Sequence, residues 1–144
     1  MNTCTPNCVL LANRHSGLSE GVRGLLNTVF SRVFMVADQD SLMEGAQRLA
    51  PALVVVDVSL AQGDIADLLR SIRDRAPATK ILVLSVHDEP TVVEAALAAG
   101  ADGLVLKRAI ANDLLPAVDA LLASRRYISP GAGHGPTTVV TTRT

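Results

Sequence analysis

The chain has few aromatic residues and few cysteines: no Trp, one Tyr, two Phe and two Cys among 144 residues. Proteins that bind single-stranded nucleic acid stack the bases on aromatic side chains, so this scarcity argues against such binding. Cys4 and Cys8 are too few for a zinc site and too few for a disulfide framework. Cysteine usage therefore favours a reducing, cytoplasmic compartment.

Long apolar runs and an excess of one charge are also missing. The early apolar run at residues 8–12 is too short for a signal peptide, and no run approaches the length of about 18 residues that a membrane span needs. The 13 basic and 14 acidic residues nearly balance, which argues against a polyanion-binding surface. With 49% hydrophobic residues, we expect one soluble globular domain.

What the sequence does contain is a series of short apolar runs in which polar residues do not alternate. Such runs are typical of strands that are buried on both faces of a parallel sheet. Between them, apolar residues recur at spacings of three and four, which predicts helices. The predicted strands lie at residues 9–12, 33–36, 53–56, 81–86 and 103–107.

Alternating strands and helices predict βαβ units and an α/β fold with five parallel strands and five helices. Asp64 suits the start of the third helix and Gly100 the end of the fourth. Pro116 falls inside the apolar pattern of the fifth helix, where a proline costs about 3 kcal/mol. We therefore predict that this helix begins late, with Asn112 as its cap.

The sequence changes character after Tyr127. Residues 128–144 are rich in Gly, Pro and Thr, which is typical of a flexible tail; alternatively, TTVVTT at 137–142 adds as a strand to a sheet edge or to a partner. We predict an N-terminal segment at 1–8, one domain at 9–127 and a tail at 128–144. Because this tail is too short for a helix-turn-helix unit, we expect no DNA binding by this chain.

Polar side chains follow four of the five predicted strands. Asn13 and Arg14 follow the first, Asp57 the third and Lys107 the fifth, while Ser85 lies near the end of the fourth. In an open parallel sheet, ligands bind beyond the carboxyl ends of the strands. A carboxylate, a hydroxyl and an ammonium that converge there make a site for a phosphoryl group.

Three motifs carry these residues in order: LVVVDVSL at 53–60, ILVLSVHDEP at 81–90 and AAGADGLVLK at 98–107. Together they resemble the CheY-like receiver domains of bacterial response regulators, in particular the NarL/FixJ branch, over residues 9 to about 130. The resemblance implies a doubly wound, flavodoxin-like sheet of order 2-1-3-4-5. It makes Asp57 the phosphoacceptor, Ser85 the switch hydroxyl and Lys107 the partner of phosphate and carboxylate.

The resemblance also implies partners and a cofactor. A histidine kinase or another signalling protein would be the partner, and Mg²⁺ would neutralise charge during phosphoryl transfer onto Asp57. Homodimers would form through helices 4 and 5, where VVEAALAA at 92–99 offers an apolar face.

The chain departs from its relatives where the metal would bind. Active relatives have two adjacent acids after the first strand, whereas this chain has Asn13 and Arg14. A unit cation about 4 Å from a divalent metal is repelled by roughly 8 kcal/mol at an effective dielectric of about 20. We therefore expect no metal and predict that Arg14 pairs with Asp57 directly, because a guanidinium fork suits a carboxylate. Asp38 or Asp40, after the second strand, is the alternative source of a metal-binding acid.

Two further positions belong to the predicted pocket. Ser59 follows Asp57 by two residues, and Leu104 stands where relatives have a switch aromatic on the fifth strand. Relatives couple movement of the hydroxyl to rotation of a Tyr or Phe at that position, and a leucine cannot report by that route.

Three functions stay open. We favour a pseudo-receiver that signals by protein contacts, with impaired Mg²⁺-dependent phosphorylation and, at most, autocatalytic phosphoryl transfer onto Asp57. The alternative is a working receiver that a histidine kinase phosphorylates on Asp57 with Mg²⁺, such as the receiver part of a NarL-type transcriptional regulator. The third is an unrelated flavodoxin-like enzyme that uses the same rim with a bound cofactor.

Overall fold

Strands and helices alternate along the chain, as the apolar pattern predicts. The structure is a computed structural model, and it describes residues 8–14, 16–61, 64–86 and 90–129. The strands are β1 (Cys8–Ala12), β2 (Arg32–Val36), β3 (Leu53–Asp57), β4 (Lys80–Ser85), β5 (Gly103–Leu106) and β6 (Tyr127–Ile128). The helices are α1 (Ser16–Leu26), α2 (Gln39–Leu49), α3 (Ile65–Arg75), α4 (Pro90–Ala98) and α5 (Ile110–Leu122).

The strands form one parallel sheet in the order β2-β1-β3-β4-β5-β6. The predicted order of the first five strands is therefore confirmed, and the two-residue strand β6 is an addition that the apolar pattern did not predict. The order reverses direction at β1, which lies between β2 and β3. The chain thus has the switch point at which doubly wound sheets place their ligands.

The sheet is buried on both faces because alternate residues of each strand enter two separate apolar clusters. On one face, Leu10 and Val54 pack with residues of α2, α3 and α4; on the other, Leu11 and Val55 pack with residues of α1 and α5. All four side chains are essentially inaccessible to solvent. This two-sided burial explains why the strand sequences are continuously apolar rather than alternating.

The predicted late start of the fifth helix is wrong. Helix α5 begins at Ile110 and continues through Pro116. Proline has no backbone N–H, so Pro116 cannot donate to the carbonyl of Asn112. Both residues are exposed, and water can therefore solvate that carbonyl. Burial of Leu114 and Val118 on the opposite face favours a continuous helix.

The segment after α5 returns to the sheet. Ile128 pairs with β5, and Ser129 is 1% exposed. The domain boundaries at residues 9 and 127 stay a prediction. The predicted strand at 137–142 lies outside the described residues. Cys8 is disulfide-bonded, and Cys4, the other cysteine of the sequence, is outside the described residues.

Across the described ranges, no helix combines the length and the apolar character that a membrane crossing requires.

Arg73 on α3 ties together the end of the sheet that holds the amino termini of β4 and β5. Its guanidinium donates four hydrogen bonds of 2.7–3.0 Å, to the carbonyls of Pro77, Thr79 and Gly100 and to the carboxylate of Asp102. The same Asp102 oxygen accepts the backbone N–H of Ile81 at 2.8 Å. Gly100 has φ +119°, so the glycine ends the α4 segment as predicted and offers its carbonyl to Arg73.

Replacing Arg73 with Met should lower the free energy of unfolding by about 2 kcal/mol, because Asp102 and three carbonyls lose a charged donor. Urea unfolding of the full chain measures this. Arg70→Met is the matched control on the same helix, since Arg70 forms an exposed pair with Asp67 whose side chains are 62% and 78% accessible. That control should change stability by less than about 0.5 kcal/mol. Equal effects of the two substitutions would contradict the assigned role of Arg73.

Candidate functional site

The predicted polar residues lie at the carboxyl ends of adjacent strands. Asn13 follows β1, Asp57 ends β3, Ser85 ends β4 and Lys107 follows β5. Asp57 is in register with Leu84, one residue before Ser85, so the acid and the hydroxyl sit at the same level of the sheet. Asn13, Asp57 and Ser85 are 4%, 1% and 0% exposed, which makes this rim an unusual concentration of buried polar groups.

Asp57 is held at both carboxylate oxygens. Oδ1 accepts the backbone N–H of Ser59 at 2.9 Å and caps the 3₁₀ turn Val58–Leu60. Oδ2 lies 2.5 Å from Nζ of Lys107, whose side chain is 17% accessible. The Lys107 contact is an ion pair between an ammonium and a carboxylate. It is not an aligned hydrogen bond, since Oδ2 has no hydrogen-bond donor within the described part of the chain. An acid at the end of a buried strand is thus neutralised by a lysine that comes from two strands away.

Arg14 does not form the predicted pair with Asp57. Instead, its Nη1 donates to the backbone carbonyl of Ser59 at 3.2 Å, and the side chain is exposed. Burial explains the outcome, because Asp57 is 1% exposed and a guanidinium that reached it would lose its own hydration. Lys107 already satisfies that carboxylate.

Ser59 links Asp57 and Arg14 through its backbone. Its N–H donates to Asp57 and its carbonyl accepts from Arg14, while its side chain is exposed. Ser59 is one of the predicted pocket residues, but this contribution of its main-chain atoms has no signal in residue type.

The alternative metal-binding acids serve other purposes. Asp38 caps α2 by accepting the backbone N–H of Ser41 at 2.7 Å, and the bonds from Ser41 lower the pKa of Asp38. Asp40 lies exposed in the first turn of α2. Residues 8–14, 16–61, 64–86 and 90–129 contain no group of three or more His, Cys, Asp or Glu side chains that could hold a metal ion.

The fit of Mg²⁺ to the rim is poor. Mg²⁺ takes oxygen ligands from carboxylates, carbonyls and water. At this rim, one Asp57 oxygen faces the Lys107 ammonium and the other accepts a backbone N–H. The Ser59 carbonyl accepts a hydrogen bond from the Arg14 guanidinium. The residues present do not match the needs of a divalent ion.

Leu104, in place of the switch aromatic, is fully buried in β5 and pairs with Val83 on one side and Ile128 on the other. Its carbonyl accepts the backbone N–H of Ser129 at 2.9 Å. Ser129 and its hydrogen-bond partner Asp113 were missed by sequence reasoning. Both lie outside the strand motifs, and neither a single Ser in a Gly/Pro-rich stretch nor an acid in a helical turn is a distinctive signal.

Lys107→Met should lower the free energy of unfolding by about 3 kcal/mol, because it leaves the Asp57 carboxylate buried without a counter-charge. Urea unfolding of the full chain at neutral pH is the measurement. The double variant Asp57→Asn, Lys107→Met serves as control and should recover at least about 1 kcal/mol, since both charges are then gone. A double variant less stable than Lys107→Met would contradict the buried ion pair.

Known proteins resemble this chain over most of its length. The transcriptional regulatory protein DegU of Brevibacillus brevis is 28% identical over 128 residues, which cover 88% of this chain and 54% of DegU. The nitrate/nitrite response regulator NarL of Escherichia coli K12 is 28% identical over 131 residues, which cover 90% of this chain and 61% of NarL. This chain thus spans between half and two thirds of these relatives.

A solved structure agrees with the fold. The two-component response regulator of the LuxR family from Aurantimonas sp. SI85-9A1 superposes with a TM-score of 0.78 at 29% identity, covering 85% of this chain and 89% of that one. The family model of the response regulator receiver domain matches residues 9–119. These likenesses argue against the unrelated flavodoxin-like enzyme, and the chain belongs to the family of response regulator receiver domains.

Proposed function

We propose that this chain is a pseudo-receiver of two-component signalling, which acts by protein contacts and has impaired Mg²⁺-dependent phosphorylation. The observation that carries the proposal is the engagement of the Asp57–Ser59 turn by two fixed cations: Lys107 at the carboxylate and Arg14 at the Ser59 carbonyl.

Electrostatics supports this reading. Phosphoryl transfer depends almost wholly on positioning and on neutralisation of charge, which active receivers achieve with a metal. Here the two cations outnumber the single carboxylate, so a divalent ion approaching the rim meets net positive charge. It must also displace Arg14 from the Ser59 carbonyl and compete with Lys107 for Asp57. Both costs weaken metal binding. Because Arg14 is exposed, solvent screens its charge and reduces its repulsion of the metal.

The second candidate is a working receiver, phosphorylated on Asp57 by a histidine kinase with Mg²⁺. It is favoured by the geometry of β3, β4 and β5, which brings a carboxylate, a hydroxyl and an ammonium to one rim. In this case Arg14 swings outward when the metal binds, and the chain carries out at most autocatalytic phosphoryl transfer onto Asp57.

A Mg²⁺ titration that follows backbone amide shifts near Asp57 separates the two candidates. We expect no saturable shift for the wild type in the millimolar range and binding at least about tenfold tighter for Arg14→Asp, because each 1.4 kcal/mol of repulsion removed is a factor of ten. Arg32→Asp is the matched control: it makes the same change of charge at the opposite end of the sheet, where Arg32 begins β2.

Saturable binding by the wild type in the millimolar range or tighter would refute the pseudo-receiver. The same conclusion would follow if acetyl phosphate with Mg²⁺ labelled the wild type but not Asp57→Asn. If Arg32→Asp improved binding as much as Arg14→Asp, the effect would be one of net charge rather than of the rim.

Partners follow from the family. We propose a histidine kinase or another signalling protein as the partner, the cytoplasm as the location, and no DNA contact by this chain itself. We also propose that two copies associate through α4 and α5. The outer face of α4 carries Ala95 and Ala98, which allow close approach, and Leu122 of α5 is 43% exposed.

Sedimentation equilibrium tests the proposed dimer. The wild type should show a concentration-dependent mass between one and two chains, and Ala95→Arg should weaken association at least about tenfold, because it places a charge in an apolar contact. Gln47→Arg on the exposed face of α2 is the control and should leave the mass unchanged. A wild type that stays monomeric at all concentrations would contradict the proposal.

A further inference from the structure

The segment Tyr127–Ser129 closes the β5 edge of the sheet. Tyr127 pairs with Gly103 and Ile128 with Leu104, in parallel, and the backbone N–H of Ser129 donates to the Leu104 carbonyl at 2.9 Å. The chain therefore leaves the described fold from the edge that borders the Asp57 rim, and not from the end of α5.

The Ser129 side chain extends this pairing by one further bond. Its Oγ accepts the backbone N–H of Leu106 at 3.0 Å and donates to the Asp113 carboxylate at 2.8 Å, and the residue is 1% exposed. One hydroxyl thus links the last residue of β5 to the first turn of α5. Without it, the buried Leu106 N–H would lose its partner, which is costly.

Two other observations show how closely this segment docks. A Cβ on Gly103 would lie 2.8 Å from the Tyr127 carbonyl oxygen and 2.9 Å from Cδ1 of Leu121, so only glycine admits β6 at this distance. Burial and the nearby carboxylate of Asp113 raise the pKa of Tyr127 to about 12.

The docked segment is joined to the rim through adjacent residues. Ser129 holds the N–H of Leu106, and the next residue, Lys107, holds Asp57 with its ammonium. The 3₁₀ turn Lys107–Ala109 then leads into α5, where Asp113 completes the link back to Ser129. The stretch from 106 to 113 is therefore held by Asp57 at Lys107 and by Ser129 at Leu106 and Asp113.

We propose that Tyr127–Ser129 is a latch, which couples the Asp57–Lys107 ion pair to the residues that follow Ser129 in the chain. A change at Asp57 that releases Lys107 frees the turn 107–109, weakens both bonds of the Ser129 hydroxyl and undocks β6. This inference rests on the proposed signalling function and names its output route, which does not require the aromatic that Leu104 replaces. Because coupling is reciprocal, undocking the latch also loosens the ion pair.

Amide hydrogen exchange on the full chain tests the latch. In Asp57→Asn, exchange at Leu106 and Ser129 should rise at least about tenfold more than at Leu11 in the central strand β1, which reports global opening. Thr79→Val is the control: it removes the buried hydrogen bond from Thr79 to the Pro51 carbonyl and should raise exchange evenly. An even rise in Asp57→Asn would overturn the proposal.

A double-variant cycle gives the second arm. Ser129→Ala and Asp57→Asn should each speed exchange of the Leu106 amide, and the double variant should differ from the product of the single factors by at least about threefold. Ser129→Thr keeps the hydroxyl and should restore most of the protection lost in Ser129→Ala. A double variant equal to the product, or no rescue by Thr, would overturn the latch.

All of these exchange measurements are made without Mg²⁺. Binding of Mg²⁺ by the wild type would therefore refute the pseudo-receiver while leaving the exchange results intact. An additive cycle would refute the latch and leave the Mg²⁺ titration unaffected.

Discussion

The buried ion pair between Asp57 and Lys107 constrains the rest of the rim. A carboxylate that is 1% exposed at the end of an apolar strand is tolerated only when a counter-charge and hydrogen bonds accompany it. The ammonium comes from beyond β5, two strands away, so β3, β4 and β5 must be in register for the pair to form. The same register brings Ser85 to the rim. The ion pair between Asp57 and Lys107 therefore depends on the order and register of these three strands.

The second cation changes what this rim can do. Arg14 holds the Ser59 carbonyl from the solvent side, while Ser59 holds Asp57 through its N–H. A metal ion can leave and return, but a side chain is always present at full occupancy. The charge of this rim is thus set by the sequence and not by the concentration of an ion. This fixed charge is the physical basis of the proposed pseudo-receiver, which keeps the acid, the hydroxyl and the lysine of the family.

Most of the fold was predictable because buried parallel strands need continuous apolar runs, and the carboxyl ends of those strands coincide in space. The resemblance implied Lys107 as a carboxylate partner, but the residues alone did not decide between Lys107 and Arg14 at Asp57, because that choice depends on how deeply the carboxylate is buried. Pro116 was misjudged because its cost depends on whether the freed carbonyl meets water, which propensity does not reveal. Strand β6 has two residues and no periodicity, and its docking depends on a long-range bond from Ser129 to Asp113.

Because Leu104 stands where relatives have an aromatic, a signal from the rim needs another route, and the hydrogen bonds of Ser129 can provide it. Leu104 is fully buried between Val83 and Ile128, and a leucine cannot report by the ring rotation that a Tyr or Phe would make there. A neutral hydrogen bond contributes about 1 kcal/mol net, and the two bonds of the Ser129 hydroxyl together bring the latch to about 2 kcal/mol or somewhat more. In the proposed latch, the population of the docked state would change about tenfold for each 1.4 kcal/mol lost with the ion pair.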